Sequence, residues 1–372
     1  MEGWQKSLSS CVTSLEELAR RFPMDVASLE PVVARYPLRV TRYYLDLIRE
    51  PGDPIWRQCM PDVKELEDGN LPVDPLNEEG LSPVPGLIHR YPDRVVLLLS
   101  PTCPTLCRFC MRKPRFSERR PIPHDPSFDA PLRYIQGNTA VRDVILSGGD
   151  PFLLSDEAMD DLLSRLRNIH HVEMIRINTR IPVTFPERIT LRLCRMLKHH
   201  HPLYVNTHFN HPAEITPMST EASQRLADAG IPLGNQTVLL REVNDDPAVM
   251  KRLMQGLLAI RVRPYYIHHM DLARGTRHFR TPVDRGLEIM AALRGHTSGL
   301  ATPYYVVDLP GGKGKVPLLP GNVKRQGNKL LLKNYLGETV EYPEEEVENQ
   351  QTAEKPLPQV AQKGPDARPP KS

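Results

Sequence analysis

Three cysteines fall close together at Cys103-Pro-Thr-Leu-Cys107-Arg-Phe-Cys110, directly after the apolar run Val95-Val96-Leu97-Leu98-Leu99. Thiols at that density serve a metal rather than a core. A tetrahedral zinc site uses four protein ligands, and the other cysteines (Cys11, Cys59 and Cys194) are isolated in sequence. A 4Fe–4S cluster takes one ligand per iron, so three cysteines leave one iron open to a bound molecule. The triplet therefore points to a redox enzyme. A zinc-binding interaction module using the same cysteines is the rival reading, and it leaves the polar residues described next unexplained.

The elements that must hold this loop are legible around it. From Val95 onward, short apolar strands at 95–99, 141–146, 172–177, 203–207, 236–240, 264–268 and 304–308 alternate with amphipathic helices. One helix, 156–169, carries Met159, Leu162, Leu163 and Leu166 on a single face. Another opens at Asp246-Pro247, a cap followed by a first-turn proline, and a third ends at Gly230. Such alternation predicts an α/β fold with a parallel sheet, and the unit count predicts a partial (β/α)6 TIM-like barrel. Active sites of parallel barrels lie at the C-terminal strand ends. Those ends carry the cysteine loop, Ser147-Gly148-Gly149-Asp150, Asn178 and Arg180, Asn206 and His208, His268, His269 and Asp271, and finally Asp308. Any single one reads as a turn residue or cap. Their appearance on one rim does not.

The flanks are different. Residues 1–90 read as a helical region, with Ser14 and Glu17 as a capping box ahead of Leu15, Leu18, Ala19 and Phe22, and a second helical pattern over Leu38–Ile48. Residues 69–86, rich in proline and glycine, read as an extended connector to a barrel over 91–310. A segment over 311–342 follows, and 343–372, with six prolines and no aromatic residue, reads as a disordered tail. The net charge of +3 over 372 residues argues for neither nucleic-acid nor membrane partners. No apolar stretch approaches a membrane span, and the first residues lack a secretion signal. Clustered cysteines without an export signal predict a cytoplasmic protein.

The Cys-x3-Cys-x2-Cys spacing after a first strand resembles the signature of radical S-adenosylmethionine (SAM) enzymes, in which the open iron binds SAM. The resemblance extends through His89-Arg90-Tyr91-Pro92-Asp93-Arg94, Asn206-Thr-His208-Phe-Asn210, Gly234-Asn-Gln236, Arg263-Pro-Tyr-Tyr and Val307-Asp308-Leu-Pro-Gly-Gly-Lys-Gly-Lys315, which together resemble the lysine 2,3-aminomutase family over roughly residues 85–320. That family moves the α-amino group of L-lysine to the β-carbon, using a 5′-deoxyadenosyl radical and pyridoxal phosphate (PLP). The resemblance implies cluster ligands Cys103, Cys107 and Cys110, and Lys315 as the lysine that holds PLP as an aldimine, with Lys313 its rival. It implies Arg90, Tyr91, Arg180 and Gln236 around PLP, and Ser147, Gly148, Gly149, Asp150, Asn206 and His208 around SAM. Arg112 falls where the family binds the substrate carboxylate, and Asp271 and Asp308 where it holds the ε-ammonium. Keeping both aspartates favours L-lysine over another amino acid or a role in elongation factor P modification. An electron donor such as flavodoxin or ferredoxin and a homo-oligomer are further expectations. Some relatives carry extra cysteines for a zinc between subunits; here no cysteine follows Cys194, and Asn244-Asp245-Asp246 occupies the matching position, which implies no such site.

Overall fold

The computed structural model describes residues 3–67, 70–117, 127–319, 321–326, 329–334 and 337–342. The tail expected at 343–372 lies outside them.

The apolar runs pair in the order in which they occur. One sheet contains β1 (Leu87–Tyr91), β2 (Arg94–Ser100), β3 (Asp143–Gly148), β4 (Met174–Asn178), β5 (Leu203–Thr207), β6 (Leu233–Val238), β7 (Arg263–His268), β8 (Tyr304–Asp308) and β9 (Lys315–Pro317), neighbours in that sequence. β2 through β8 are parallel, while β1 and β9 border them antiparallel. Each crossover advances by one strand, as in a barrel, and the order never reverses as it does in doubly wound sheets. The sheet stays open between β1 and β9, giving the partial α/β barrel that the sequence predicts.

Departures from expectation have physical causes. β6 begins at Leu233 and ends before Leu239, three residues earlier than the apolar run suggests at its start. Leu240 leaves the sheet to join Phe109, Val243, Met270 and Phe279 in a second small core. β1 opens with two adjacent apolar residues, Leu87 and Ile88, and β9 is only three residues long, so neither shows an alternating strand period. The helix Asp156–Arg167 does bury Met159, Leu162, Leu163 and Leu166, with Ser155 as its cap. Gly230 follows the helix Pro217–Asp228 at φ +80°, a left-handed position suited to glycine.

The N-terminal region forms five short helices, Gly3–Ser9, Leu15–Ala19, Val26–Arg35, Arg42–Leu45 and Pro54–Cys59. Ser14 caps the second through the Glu17 N–H, but the pattern over 38–48 yields only one helical turn. Val40 instead pairs with Val12 through backbone bonds. The first compact unit runs to Pro320 and includes Lys315. The second starts at Gly321 and holds a three-stranded antiparallel sheet, β10 (Val323–Gln326), β11 (Lys329–Lys333) and β12 (Thr339–Tyr342).

Candidate active site

The cysteine loop leaves β2 and is clasped by the N-terminal helices. Leu106 N–H donates to Arg39 O at 2.8 Å and Arg108 N–H to Gln58 O at 2.9 Å. Arg108 and Glu65 are both buried and paired at 2.5 Å, and Lys113 Nζ reaches the same carboxylate at 2.7 Å. Removing one partner of such a buried pair costs about 3–5 kcal/mol, so this clamp fixes the loop firmly. Cys103, Cys107 and Cys110 are half-buried and free of disulfides. Burial, and then the neighbouring charges of Asp150, Cys110 and Cys107, push Cys103 far up. Burial and Cys107 push Cys110 up to about 11. Among the described residues, no three His, Cys, Asp or Glu side chains already stand at metal-ligand separation.

The Ser147-Gly148-Gly149-Asp150 loop backs the cysteine loop. Gly149 N–H donates to Ser100 O at 2.6 Å and Asp150 N–H to Thr102 O at 2.8 Å. Gly148 lies at φ +125°, and a Cβ on Gly149 would stand 2.0 Å from Thr102 O. The loop is glycine because two backbones meet there. Asp150 is buried; its carboxylate accepts from Thr179 Oγ1 and from the Arg180 and Phe152 N–H groups, and burial raises its pKa to about 6. These contacts make the Asp150 carboxylate a cap that joins two strand ends. Gly149→Ala must push the cysteine loop away, costing about 3 kcal/mol. Anaerobic iron analysis should find the variant poor in cluster, with a lowered unfolding midpoint.

Lys315 is placed by a hairpin. β8 pairs with β9 so that Asp308 faces Lys315. The turn between them needs Gly311, Gly312 and Gly314 at φ +71°, +76° and +96°, a backbone that other residues rarely adopt. Lys315 Nζ lies 2.5 Å from Asp308 Oδ2 and 3.2 Å from His268 Nδ1, and its N–H donates to Tyr91 Oη at 2.9 Å. Lys313, in the turn, is exposed and makes no hydrogen bond or ion pair among the described residues. Lys315, Asp308, His268, Gln236, Arg90 and Arg112 line one cavity of about 800 Å³. Burial would raise the Asp308 carboxyl, but the His268 hydrogen bond and the Lys315 charge hold it well below the usual carboxylate range. Burial and then Asp308 push Asp271 up to about 7. The two aspartates thus feel one another, as a pair prepared for a cation does.

Arg112 meets an unexpected partner. Its Nε and Nη2 bind the Glu78 carboxylate at 3.0 and 2.7 Å, and its Nη1 donates to Gly148 O at 3.2 Å. Glu78 is buried, lines the cavity, and comes from the connector that the sequence presents as featureless. The same segment receives Arg90 Nη2 at Leu76 O and Gly311 N–H at Pro75 O. In sequence, Glu78 beside Glu79 reads as a solvated charge; only the chain path reveals it. Glu78→Gln keeps the shape but loosens the guanidinium. KM for the amino-acid substrate should rise about tenfold, the scale of one charged hydrogen bond, with kcat changed less. Steady-state kinetics showing an unchanged KM would remove Glu78 from the site.

Arg180, expected around PLP, does not line the Lys315 cavity. Its Nη1 donates to Cys107 Sγ at 2.7 Å, its Nε to His208 O, and its Nη2 reaches Tyr44, Gln58 and Glu214. It belongs to the cysteine loop, because the turn after β4 points toward the N-terminal helices. Asn206 donates to Asn178 Oδ1 at 3.1 Å. His208 packs edge-on against Phe109 of the cysteine loop, and its buried Nε2 has no partner. Asp246, near the position of the extra cysteines, caps the helix Pro247–Ala259.

Profile comparisons agree with this layout. Residues 97–254 match the radical SAM superfamily, and residues 290–368 match a lysine-2,3-aminomutase family. The chain is 48% identical over 350 residues to the L-lysine 2,3-aminomutase of Clostridium subterminale, covering 92% of this chain and 84% of that one. It is 44% identical to the L-lysine 2,3-aminomutase of Bacillus subtilis (97% and 79% covered), and 41% identical to a glutamate 2,3-aminomutase of Clostridioides difficile (92% and 82% covered). The chain belongs to the lysine 2,3-aminomutase family, within the radical SAM enzymes. It is an isomerase of the class that works with a 4Fe–4S cluster, SAM and PLP.

The residues present fit those groups. Burial raises the Cys103 and Cys110 thiols, which resist ionisation until a metal compensates them, and the Arg180 guanidinium stands against Cys107. The unpartnered His208 Nε2 sits beside the same loop. In the Lys315 cavity, Arg90 Nε is buried without a partner and Gln236 lines the wall, both donors suited to an anionic cofactor.

Proposed function

We propose that this enzyme interconverts L-lysine and β-lysine in a reducing cytoplasm. One observation carries the reading: Lys315, Asp308 and Arg112 line a single cavity. A primary amine for PLP, a carboxylate for an ammonium and a guanidinium for a carboxylate are what a bound diamino acid needs. Cys103, Cys107 and Cys110 would hold the cluster, with His208 near SAM; Lys315, Arg90 and Gln236 would hold PLP. When bound, these groups supply one-electron hydrogen abstraction and a carrier for the migrating nitrogen.

The chain's own residues do the rest. Lys315 Nζ must be uncharged to bond a cofactor carbonyl. Beside it, burial and then the Lys315 charge lower the His268 pKa and keep the imidazole neutral, so His268 adds no second positive charge next to the amine. Asp308, which neutralises Lys315 Nζ, is the carboxylate that would accept the ε-ammonium of a bound lysine. Arg112, held by Glu78 on one edge, offers the other edge to the substrate carboxylate. The buried strand ends keep water from reactive species.

The glutamate 2,3-aminomutase relative suggests a second reading, and Asp308 with Asp271 weighs against it, since both would repel a side-chain carboxylate. Anaerobically reconstituted protein should convert L-lysine to β-lysine, seen by NMR of the products. Turnover of L-glutamate without turnover of L-lysine would overturn the assignment.

A further inference from the structure

A second cleft, of about 590 Å³, opens between residues 57–67, 241–242 and 277–282. Lys64, Arg241, Arg277 and Arg280 line it, and among the described residues none of them makes an ion pair. The acids at its margin are Glu67 and Glu242, and Glu242 is already paired with Arg57 at 2.7 Å. Four uncompensated cations in one concavity are costly without a counter-charge. Arg280 feels this: burial first, then the Arg277 charge, lower its pKa. Polar atoms are idle there too. Thr281 is 6% exposed, and its Oγ1 has no partner; nor do Arg280 Nε or either ring nitrogen of His278.

What lies beneath the cleft gives it a purpose. Phe279 in its lining meets Phe109 edge-to-face, with ring centroids 6.2 Å apart. Phe109 precedes Cys110 in the chain, and Cys107 packs against the same small apolar core. A thin aromatic layer therefore separates the cationic cleft from two of the three cluster thiols.

We infer that this cleft is the docking face for an acidic one-electron carrier protein, which reduces the cluster through the Phe279–Phe109 contact. The inference rests on the proposed cluster chemistry. In the step, the reduced carrier loses one electron and the oxidised cluster gains one; no bond is made or broken. Charge complementarity selects the partner, because opposed surfaces steer encounter and orientation more than they add affinity.

The test uses the full chain, reconstituted with its cluster, and reduced flavodoxin as the acidic carrier. Cluster bleaching is followed by anaerobic stopped-flow absorbance across a sodium chloride series, beside reduction by dithionite. For wild type, the flavodoxin-driven rate should fall steeply with salt while the dithionite rate does not. Arg241→Glu with Arg277→Glu, both exposed side chains, should slow flavodoxin-driven reduction at low salt by about tenfold or more, and leave dithionite reduction unchanged. A wild-type flavodoxin rate in the double variant would overturn the inference. So would protection by inorganic phosphate at constant ionic strength, which would make the cleft a small-anion site, or dissociation of an oligomer in the variant by ultracentrifugation, which would make it a subunit face. A chain that binds no cluster, or whose cluster dithionite cannot reduce, would instead count against the proposed function.

Discussion

Lys315→Ala is expected to abolish the visible absorption that PLP gives on binding, and to lower lysine turnover by on the order of 10³-fold or more. Lys313→Ala should retain both. The difference follows from the hairpin. Lys315 is paired across the strands with Asp308, and its Nζ is held by Asp308 and His268 at the cavity wall. Lys313 lies two positions back, in the turn, exposed to solvent. A flexible lysine could stretch, but its backbone is held in the turn: a Cβ on Gly312 would stand 2.7 Å from Leu76 O, and Gly311 N–H is bonded to Pro75 O. Spectral titration with PLP checks this directly. Loss of the band in Lys313→Ala and its survival in Lys315→Ala would reverse the assignment.

The second large effect is on the acidic end of the cavity. Asp308→Asn removes the carboxylate that Lys315, Arg90 and His268 all approach. Stripping one member from a buried ionic group costs about 3–5 kcal/mol, so lysine affinity should drop roughly 10²- to 10³-fold. SAM affinity should hardly change, because the Gly149–Asp150 loop and His208, proposed to lie near SAM, pack against the cysteine loop and not against Asp308. Equal losses for both ligands would show general damage instead. Asp271 adds a pH signature. With its pKa raised to about 7, it is largely protonated below that pH and contributes no attraction for an ammonium. kcat/KM for lysine should therefore climb as pH rises through about 7, and Asp271→Asn should flatten the climb. Stability has the opposite sign. The group's pKa is 3.8 when unperturbed and about 7 when folded, so the folded state binds the extra proton and stability falls as pH rises through that window.

Much of this site is legible in the order of the amino acids alone. The cysteine spacing, the strand–helix alternation and the Gly-Gly-Lys-Gly-Lys run each have local causes: ligand reach, burial period and left-handed backbone. What stays hidden depends on paths through space. Arg180 reads as one more cation on the rim, yet its turn aims it at Cys107. Asp150 reads as a ligand-contacting residue, yet three donors from the protein consume its carboxylate. Glu78 carries no pattern at all, because a connector rich in proline and glycine has no period to betray which face is buried. The edge strands β1 and β9 are silent for a related reason: short runs without alternation gain their pairing from a neighbouring strand.

The unbroken spatial order of the sheet has a consequence for how the enzyme is made. The thiols follow the first parallel strand, whereas Lys315 belongs to the last strand of that sheet. A growing chain therefore exposes Cys103, Cys107 and Cys110 long before the hairpin bearing Lys315 can form. Domains generally consolidate from the N-terminus during synthesis. The metal-binding loop and its helical clasp can mature early, and the vitamin-derived cofactor can be captured only when synthesis of the barrel is finished. The two cofactor sites are thus completed at different points of synthesis.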